Sequence, residues 1–410
     1  MNHASELDVR RFSAGRPPAV LLGGLNVARA LGLAGIPVIV ASNSDHEAAF
    51  ASRYCHGRIR LPPLHDRRAV ADALLRAGER LAGALGLRIP LFYSNDDWQR
   101  LVQDYRGELA EHFALLLNDA GIAEALIEKD LFQPLAEARG LPVPRCLEWQ
   151  ELGRVSGAVL VKPRAKLRDY PPAHLRLFGA QGKARVFPDG RALRADAAAQ
   201  QIHGELLIQE YIAGDDRNIW SFHGFCDRRS RLLDWFIGRK IRTFPALTGG
   251  STFLELAHDA ELAALGRRIV SALGLKGVFK IDLKRDAHTG RFQVLEVNAR
   301  YNLWHYLGAA NGLNLPLTAY EHLVYGKCPA APRSYRTTHR WLYLRFDWQA
   351  YRQLSASGEL GFGAWLASLA AKPKVCQLFS WDDPLPFICG LRHLASRLPK
   401  VAARWLSTVS

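Results

Sequence analysis

The feature that most restricts the fold is a pair of alternating apolar segments near position 290. "VFKIDLKRD" runs from 278 to 286 and "RFQVLEVNAR" from 291 to 300, with "AHTG" between them. Alternation in both arms around a glycine-bearing turn predicts a β-hairpin. The second arm carries Glu296, Asn298 and Arg300 at every second position, so the pleat predicts that these polar residues share one face.

The first arm places an acid against this polar face. With the turn centred between the arms, Asp282 lies opposite Glu296, where Cβ atoms are about 4.5 to 5.5 Å apart. Two carboxylates that close repel unless a cation lies between them. Together with the Asn298 amide they predict an all-oxygen site suited to Mg²⁺. The alternative is a solvent-facing hairpin on which Lys280 and Lys284 neutralise the acids; a one-residue slip would also exchange the faces.

The region 17–45 predicts one βαβ unit of a parallel sheet. It reads "PPAVLLGGLNVARALGLAGIPVIVASNSD", with a strand at Val20–Leu22, a helix that Asn26 can cap, and a second strand in "PVIVAS". "GGLN" does not complete G-x-G-x-x-G, and Ser42 stands where an acid would be expected, so dinucleotide binding has little support. "IPLFYSNDD" predicts a further strand that opens into a helix.

Three more segments place charged residues at the ends of predicted elements. Lys129 opens a helix in "EKDLFQPLAEARGLPVP", where a cation opposes the helix dipole unless it is solvated or meets a phosphate. "GAVLVKP" predicts a strand that ends in Lys162. This lysine is either a functional residue or simply the end of the strand. "ELLIQEYIAGDD" predicts a strand followed by Asp215 and Asp216, which are binding residues or turn formers.

Composition limits the class of protein. The 410 residues suggest two or three domains, and 49% hydrophobic with 23% charged residues is typical of globular chains. No apolar run approaches the roughly 18 residues that span a bilayer, and the opening residues lack a signal-peptide core. The six cysteines are scattered without a C-x-x-C pair, which favours reduced thiols and a cytoplasmic location.

The net charge of +15 has two interpretations. An anionic partner would suit it, whether nucleic acid, a membrane surface or a small substrate. Arginine spread over the surface by a coding bias would produce the same total. No helix-turn-helix, zinc-finger or RNP-like signature is present, so no nucleic-acid partner is expected.

The ordered motifs resemble the ATP-grasp superfamily over residues 20–330. The lysines of "EKDLF" and "VLVKP", the hinge "IQEYIAGDD", the Asp of "FKIDLKRD" and "LEVNAR" arrive in the order used by that family. "GRKIRTFPALTGGSTFLE" and "HYLGAANGLNLPLTAYEHLVYG" are similar to substrate-side segments of its carboxylate–amine ligase branch. One departure is the expected Gly-rich phosphate loop: "FGAQGKAR" carries a lysine and an arginine, so which loop covers the phosphates stays open.

The resemblance implies a fold with α/β and α+β parts. A loose tail at 1–16 precedes a Rossmann-like pre-ATP-grasp domain at 17–117. A two-lobed ATP-grasp domain follows at 118–330, with its small lobe at about 150–212. A small Trp-rich C-terminal module with a basic amphipathic helix would fill 331–410.

The resemblance also implies roles for individual residues. It assigns ATP and Mg²⁺, or Mn²⁺ in its place, as cofactors. The ATP-binding residues would be Lys129 and Lys162 on the phosphates, Glu210, Tyr211 and Ile212 at the adenine, and Asp215 or Asp216 at the ribose. The metal ligands would be Asp282, Glu296 and Asn298. The catalytic residues would be Arg300 on the transferred phosphoryl group and Arg239, Lys240 and Arg242 facing the acidic substrate. Alone, "RKIR" is also typical of a solvated charge run, and nearby His305 is typical of a packed histidine.

The last segment contains an apolar stripe among basic residues. In "LRHLASRLPKVAARWLS" the apolar side consists of Leu391, Leu394, Leu398, Val401 and Trp405. The pattern favours docking on the protein's own C-terminal module. Contact of 391–405 with anionic lipid is the second interpretation.

The resemblance implies an ADP-forming ligase that joins a small-molecule carboxylate to an amine through an acyl phosphate. Two alternatives stay open at this point. One is an ATP-binding regulatory protein without turnover. The other is a membrane-surface ligase that acts on a cell-envelope precursor.

Overall fold

A computed structural model describes residues 8–164, 171–179 and 183–393, with the backbone alone at Lys129. Its contacts group the chain into two compact units. The first contains the residues up to Leu116, Arg300–Ala331 and the segment from Val375. The second contains Leu117–Ala299 and Pro332–Lys374.

The strands are short in the first unit and longer in the second. In chain order they are β1 (Ala19–Leu22), β2 (Val38–Ser42), β3 (Cys55–Arg60), β4 (Ile89–Tyr93), β5 (Phe113–Ala114), β6 (Val159–Pro163), β7 (Arg185–Phe187), β8 (Leu206–Glu210), β9 (Ile219–Cys226), β10 (Leu232–Phe244), β11 (Gly250–Ala257), β12 (Gly277–Arg285), β13 (Phe292–Asn298), β14 (Arg340–Leu342) and β15 (Lys374–Cys376).

The helices lie between these strands. In chain order they are α1 (Leu25–Leu33), α2 (Arg67–Leu85), α3 (Asp96–Asp104), α4 (Arg106–His112), α5 (Ala120–Ile127), α6 (Lys129–Ala138), α7 (Pro172–Phe178), α8 (Gly190–Ala195), α9 (Ala197–Gln201), α10 (Ala260–Leu273), α11 (Trp304–Ala310), α12 (Leu315–Tyr325), α13 (Leu344–Ala356) and α14 (Phe362–Ala370). Residues 385–393 are also helical.

The first unit is built on a parallel sheet with the order β3-β2-β1-β4-β5. This confirms the βαβ prediction, but the predicted helix cap is wrong. Helix α1 begins at Leu25 with Gly24 as its N-cap, and Asn26 is buried inside the helix, where it donates to Gln377. Gly24 has a φ of 94°, and a Cβ there would lie 2.7 Å from the Cβ of Ser94. The turn therefore requires glycine, and the helix starts before the asparagine.

A buried ion pair fastens the last part of the first unit to α1. Arg29 is fully buried, and its Nε lies 2.9 Å from Asp383 Oδ2. The same guanidinium donates to the backbone carbonyls of Leu378 and Asp383. The Asp383 carboxylate also accepts from the Ser52 hydroxyl and the Arg53 N–H, each at 2.8 Å. Every strong donor and acceptor around the pair is thus satisfied, as a buried ion pair requires.

The second unit contains two sheets. Its large sheet contains the strands β13-β12-β9-β10-β11-β14 in that order, and neighbouring strands among them are antiparallel. One face of it is apolar and packs on α6 and α10 through buried residues such as Phe132, Ile269 and Ile281. A smaller sheet, β7-β6-β8, packs its buried side against helices α7 to α9.

These two units do not coincide with the boundaries expected along the chain. Residues 300–331 group with the first unit, and the segment from 332 onward is divided between the two units. Part of the expected tail lies outside the described residues, and its described part contains a 3-10 turn at Val9–Arg11. Most of the expected C-terminal amphipathic helix also lies outside them. The domain names assigned to 1–16, 17–117, 118–330 and 331–410 stay predictions.

No helix among the described residues is both long enough and apolar enough to cross a membrane.

We expect Asp383→Ala to lower the free energy of unfolding by about 3 to 5 kcal/mol, because it leaves the buried Arg29 charge without its partner. Urea unfolding measures the change. Asp45→Ala is the control, since Asp45 pairs with Arg60 at the surface and its removal is expected to cost less than about 1 kcal/mol. Equal effects of the two substitutions would contradict the anchoring role of Arg29 and Asp383.

Candidate active site

The hairpin β12–β13 places Asp282 directly opposite Glu296 and Lys280 opposite Asn298. The register predicted from the sequence is confirmed at these positions, and it shifts by one residue beyond Asp282. Because opposite residues and residues two apart share a side of the pleat, all four polar side chains project to one side. We call this side of the large sheet the carboxylate face; it lies opposite the apolar face that packs on α6 and α10.

Hydrogen bonds and an ion pair join the members of the carboxylate face. The Asn298 amide nitrogen donates to Asp282 Oδ2 at 3.3 Å and to Glu296 Oε1 at 3.0 Å. The Lys280 ammonium lies 2.6 Å from Asp282 Oδ2. Lys280 is thus the neutralising lysine of the alternative interpretation. Lys284 is not, because its ammonium lies 3.1 Å from the Tyr211 hydroxyl.

The two carboxyl groups differ in proton affinity. Burial raises the pKa of Asp282, and the neighbouring Glu296 charge adds to that rise against the pull of Lys280 and Lys240. Loss of surrounding water would raise the pKa of Glu296 as well. However, its side chain is exposed, and Lys280, the Asn298 amide and Lys162 lower its pKa to about 2. Glu296 therefore keeps a negative charge at neutral pH within the field of Lys162.

One oxygen of this cluster is suited to a cation. Asp282 Oδ1 is buried without a hydrogen-bond partner in the described part of the chain. Such an oxygen is costly unless a donor or cation meets it. Among residues 8–164, 171–179 and 183–393, no group of three or more His, Cys, Asp or Glu side chains could hold a metal ion. The oxygen donors here are two carboxylates and, after rotation of its amide, Asn298, a set that fits Mg²⁺ with retained waters.

Strand β9 adds two residues that the sequence analysis did not single out. Ser221 lies opposite Asp282, and His223 lies opposite Lys280, so both are on the carboxylate face. Both are buried, with His223 Nε2 2.9 Å from the Ser221 hydroxyl and its ring stacked on Phe236. The sequence could have predicted that the two share a face, because they are polar residues two apart in "IWSFHGFC" and this spacing marks one face of a strand.

The basic run "RKIR" divides between the two faces of the sheet. Ser221 pairs with Gly238, so Lys240, two residues further on, lies on the carboxylate face. Burial lowers the pKa of Lys240, while Asp282 and Glu296 act in the opposite direction. Lys240 is therefore the member of the run that interacts with the two carboxylates.

Arg239 lies on the other face, within a network of charges. It pairs with Glu255 and stacks over Trp220 at 5.3 Å. Glu255 also accepts from Arg340 at 2.8 Å. Despite burial, the two guanidinium groups hold the pKa of Glu255 below its usual range. Arg239 is therefore already neutralised on the side away from the carboxylate face.

The structure gives Arg242 a different role from the expected contact with substrate. A bulge at Ile241 shifts the register, so that Lys240 faces Leu254 but Arg242 faces Phe253. The bulge turns Arg242 to the side opposite Lys240. There its guanidinium is buried and makes two 2.8 Å bonds to the carboxylate of Asp347 in α13. Arg242 therefore anchors α13, and its side chain lies away from the carboxylate face.

The predicted hinge follows strand β8. The N–H groups of Glu210 and Tyr211 donate to the carbonyls of Arg145 and Ala158, so both are used in hydrogen bonds within the protein. The Glu210 side chain is half exposed and pairs with Arg145 at 3.4 Å. Of the hinge residues Glu210, Tyr211 and Ile212, it is Ile212 whose N–H makes no hydrogen bond within the described residues.

The two acids after the hinge have different environments. Asp216 is buried and accepts from Thr243 and from the Leu247 N–H, so it braces the turn between β10 and β11. Asp215 is exposed and caps a 3-10 turn by accepting from the Arg217 N–H at 2.8 Å. Both act as turn formers, and Asp215 presents its carboxylate to solvent.

The remaining predicted residues are distributed over both units. Lys162 ends β6 with its side chain half-buried, and Lys129 is the first residue of α6. Arg300 belongs to the first unit, where it pairs with Asp96 at the start of α3. His305 is fully buried, and its Nδ1 accepts from the Asn302 N–H at 2.9 Å, as expected of a packed histidine. The loop "FGAQGKAR" includes residues 180–182, which lie outside the described residues.

The fold is shared with solved enzyme structures, although no protein-family model matches the chain. The structure superposes on N5-carboxyaminoimidazole synthetase from Staphylococcus aureus complexed with ADP, with a TM-score of 0.57 and 12% identity over 78% of this chain and 80% of that one. This is the ATP-grasp fold, and the resemblance inferred from the motifs is confirmed at the level of the fold.

Two amino acid ligases narrow the comparison. The sequence is 22% identical over 283 residues to D-aspartate ligase of Enterococcus faecium, an alignment that covers 65% of this chain and 66% of that protein, just under two thirds. The structure of L-amino acid ligase from Bacillus licheniformis superposes with a TM-score of 0.54 and 16% identity, covering 75% and 74% of the two chains. The chain thus has the ATP-grasp fold and resembles the carboxylate–amine ligases.

We expect Arg242→Met to lower the free energy of unfolding by about 3 to 5 kcal/mol, because it leaves the Asp347 carboxylate buried without its guanidinium. Chemical denaturation measures the change. The matched control is Lys240→Met, which removes a half-buried lysine from the same strand and is expected to change the free energy by less than about 1 kcal/mol. A stable Arg242→Met protein would argue against the anchoring role.

Proposed function

We propose that the chain is an ATP-dependent ligase that joins a carboxylate to an amine through an acyl phosphate and releases ADP and phosphate. The observation that carries the proposal is the carboxylate face, where Asp282 lies opposite Glu296 with the Asn298 amide bonded to both. A charged phosphate can lie next to these carboxylates only if a cation is present. Lys162 and Lys240 both interact electrostatically with carboxylates of this face. The names of the two similar amino acid ligases support formation of a C–N bond.

Asp282, Glu296 and Asn298 would hold one or two Mg²⁺ ions, or Mn²⁺. Bound there, the metal would neutralise phosphate oxygens and orient them for in-line transfer. The fit rests on Asp282 Oδ1, which has no hydrogen-bond partner in the described chain while Oδ2 is taken by Lys280. Glu296 stays ionised at neutral pH, so it is ready to bind a cation without losing a proton first.

ATP would lie between the hinge and the lysines. Lys162, whose field lowers the pKa of Glu296, would bind phosphate oxygens. Lys129 stays a proposed phosphate ligand on the strength of its motif. The Ile212 N–H and the hinge carbonyls would meet the adenine edge, and exposed Asp215 would accept from the ribose hydroxyls. The complex of the similar Staphylococcus aureus synthetase with ADP supports a nucleotide in this fold.

The chemistry would follow from charge placement. A substrate carboxylate oxygen attacks the γ-phosphorus, the bond to the β-phosphate oxygen breaks, and ADP leaves. The amine then attacks the acyl carbon, loses a proton and expels phosphate. Lys240, held next to Asp282 and Glu296, would stabilise the acyl phosphate. Arg300 stays a proposed ligand of the transferred phosphoryl group, and Arg239 a weaker proposal because Glu255 already neutralises it.

The test is ADP release from ATP and Mg²⁺ in the presence of amino acids, small dicarboxylates and amines. We expect release that depends on an acid, and a fall of at least about a hundredfold in Glu296→Ala, because one carboxylate of the metal site is lost. Glu359→Ala is the matched control, since Glu359 is exposed in the turn after α13. It should retain full activity.

Each other outcome has a definite meaning. Tight ATP binding without turnover in any mixture would favour the regulatory alternative. Full activity in Glu296→Ala would remove the carboxylate face from the mechanism. Absence of ATP binding would overturn the proposed function altogether.

A further inference from the structure

The last described part of the chain exposes an apolar surface. Trp381 has 90% of its surface exposed, the largest exposed fraction among the large hydrophobic residues described. Leu385, Ile388 and Leu391 are exposed by 53%, 39% and 50%. Their spacing of three places them on one side of the helical segment 385–393. We call these four residues the C-terminal patch.

Trp381 is held in this exposed position by its neighbours in sequence. The Ser380 hydroxyl bonds to the Tyr306 hydroxyl at 3.1 Å, and Asp382 accepts from the Tyr54 hydroxyl. The next residue, Asp383, forms the buried ion pair with Arg29. Anchors on both sides fix the backbone at Trp381, and the indole projects into solvent. A large apolar side chain fixed in solvent is a feature of interaction surfaces.

Basic residues outnumber acidic ones at the patch and along the sequence that follows it. Residues 384–410 contain Arg392, Arg397, Lys400 and Arg404 and no aspartate or glutamate. Exposed Arg53 lies beside the patch, donating to the Asp382 carbonyl at 3.1 Å. Arg29 neutralises nearby Asp383, whereas Asp382 is exposed and bonds to the hydroxyls of Tyr54 and Ser380. The surroundings of the patch therefore attract anions.

We propose that the C-terminal patch docks on a membrane surface that carries anionic lipid headgroups. Tryptophan prefers the boundary between headgroups and acyl chains, because its ring is apolar and its N–H is polar. Leucine and isoleucine on one helical side enter that boundary, while Arg53 and Arg392 meet the headgroup phosphates. A second copy of the chain is a poorer partner, since it would bring the same positive charge against the patch.

The proposal differs from the contact considered for 391–405 in the sequence. Most of that segment lies outside the described residues, whereas the patch begins ten residues earlier, at Trp381. The proposal also stands apart from the ligase activity. Its test requires neither ATP nor turnover, so failure of one leaves the other intact.

The test is sedimentation of the full-length protein with lipid vesicles. Vesicles of phosphatidylcholine alone are compared with vesicles that contain about 25% phosphatidylglycerol. We expect binding to the anionic vesicles that weakens as salt is added, because exposed charges are screened. Trp381→Ala with Leu385→Ser should reduce the partition coefficient at least about tenfold, and Arg392→Gln about fivefold.

Leu33→Ser is the matched control. Leu33, the last residue of α1, is 51% exposed, close to the 53% of Leu385, and it lies outside the patch. It should bind vesicles like the unmodified protein. Thermal unfolding of each variant checks that the fold persists, as expected for exposed positions.

Three results would overturn the proposal. The first is failure of the unmodified protein to sediment with anionic vesicles at low salt. The second is equal binding by the patch variant and the Leu33→Ser control. The third is a dimer in analytical ultracentrifugation that Trp381→Ala converts to monomer without any vesicle binding, which would assign the patch to a second copy of the chain.

Discussion

The register of β12 against β13 and β9 is the constraint on which the site depends. Apolar residues such as Ile281 and Leu283 pack into the core with α10, and their alternation holds the pairing in place. Once that core forms, the alternation of the strand places the polar residues between them on the opposite face of the sheet. A slip of one residue would bury the carboxylates of Asp282 and Glu296 under a helix and expose the core. The burial of apolar surface therefore fixes the positions of the two acids, and interactions between the acids themselves do not.

A single bulge has a comparable effect on the basic residues of β10. If Ile241 were paired as in a regular strand, Lys240 and Arg242 would share a face by the period of two. The bulge separates them, and burial then gives each a different function. Lys240 acts on the carboxylate face, while Arg242 becomes the partner of Asp347 and fastens α13 to the sheet. One irregular backbone position thus distinguishes a proposed catalytic lysine from a structural arginine.

Two buried ion pairs tie late segments of the chain to early ones. Arg29 and Asp383 are 354 positions apart, and Arg242 and Asp347 are 105 apart. Such pairs contribute modestly to net stability compared with apolar residues of the same volume, but breaking one is costly, so they specify which segments come together. In the first unit this specificity also has a surface consequence. The Arg29 anchor holds the backbone at Asp383, two residues after Trp381 of the C-terminal patch.

The sequence by itself determined the features that depend on local pattern. Alternation predicted the hairpin and the pairing of Asp282 with Glu296, and apolar runs predicted the parallel strands of the first unit. Order along the chain was enough to identify the fold. The tertiary structure alone decided what depends on distant partners: Arg242 turned away from the site to meet Asp347, Ser221 and His223 joined it from β9, and residues 300–331 grouped with the N-terminal strands. The reason is physical, since a local pattern specifies a face, whereas the group that a face meets comes from elsewhere in the chain.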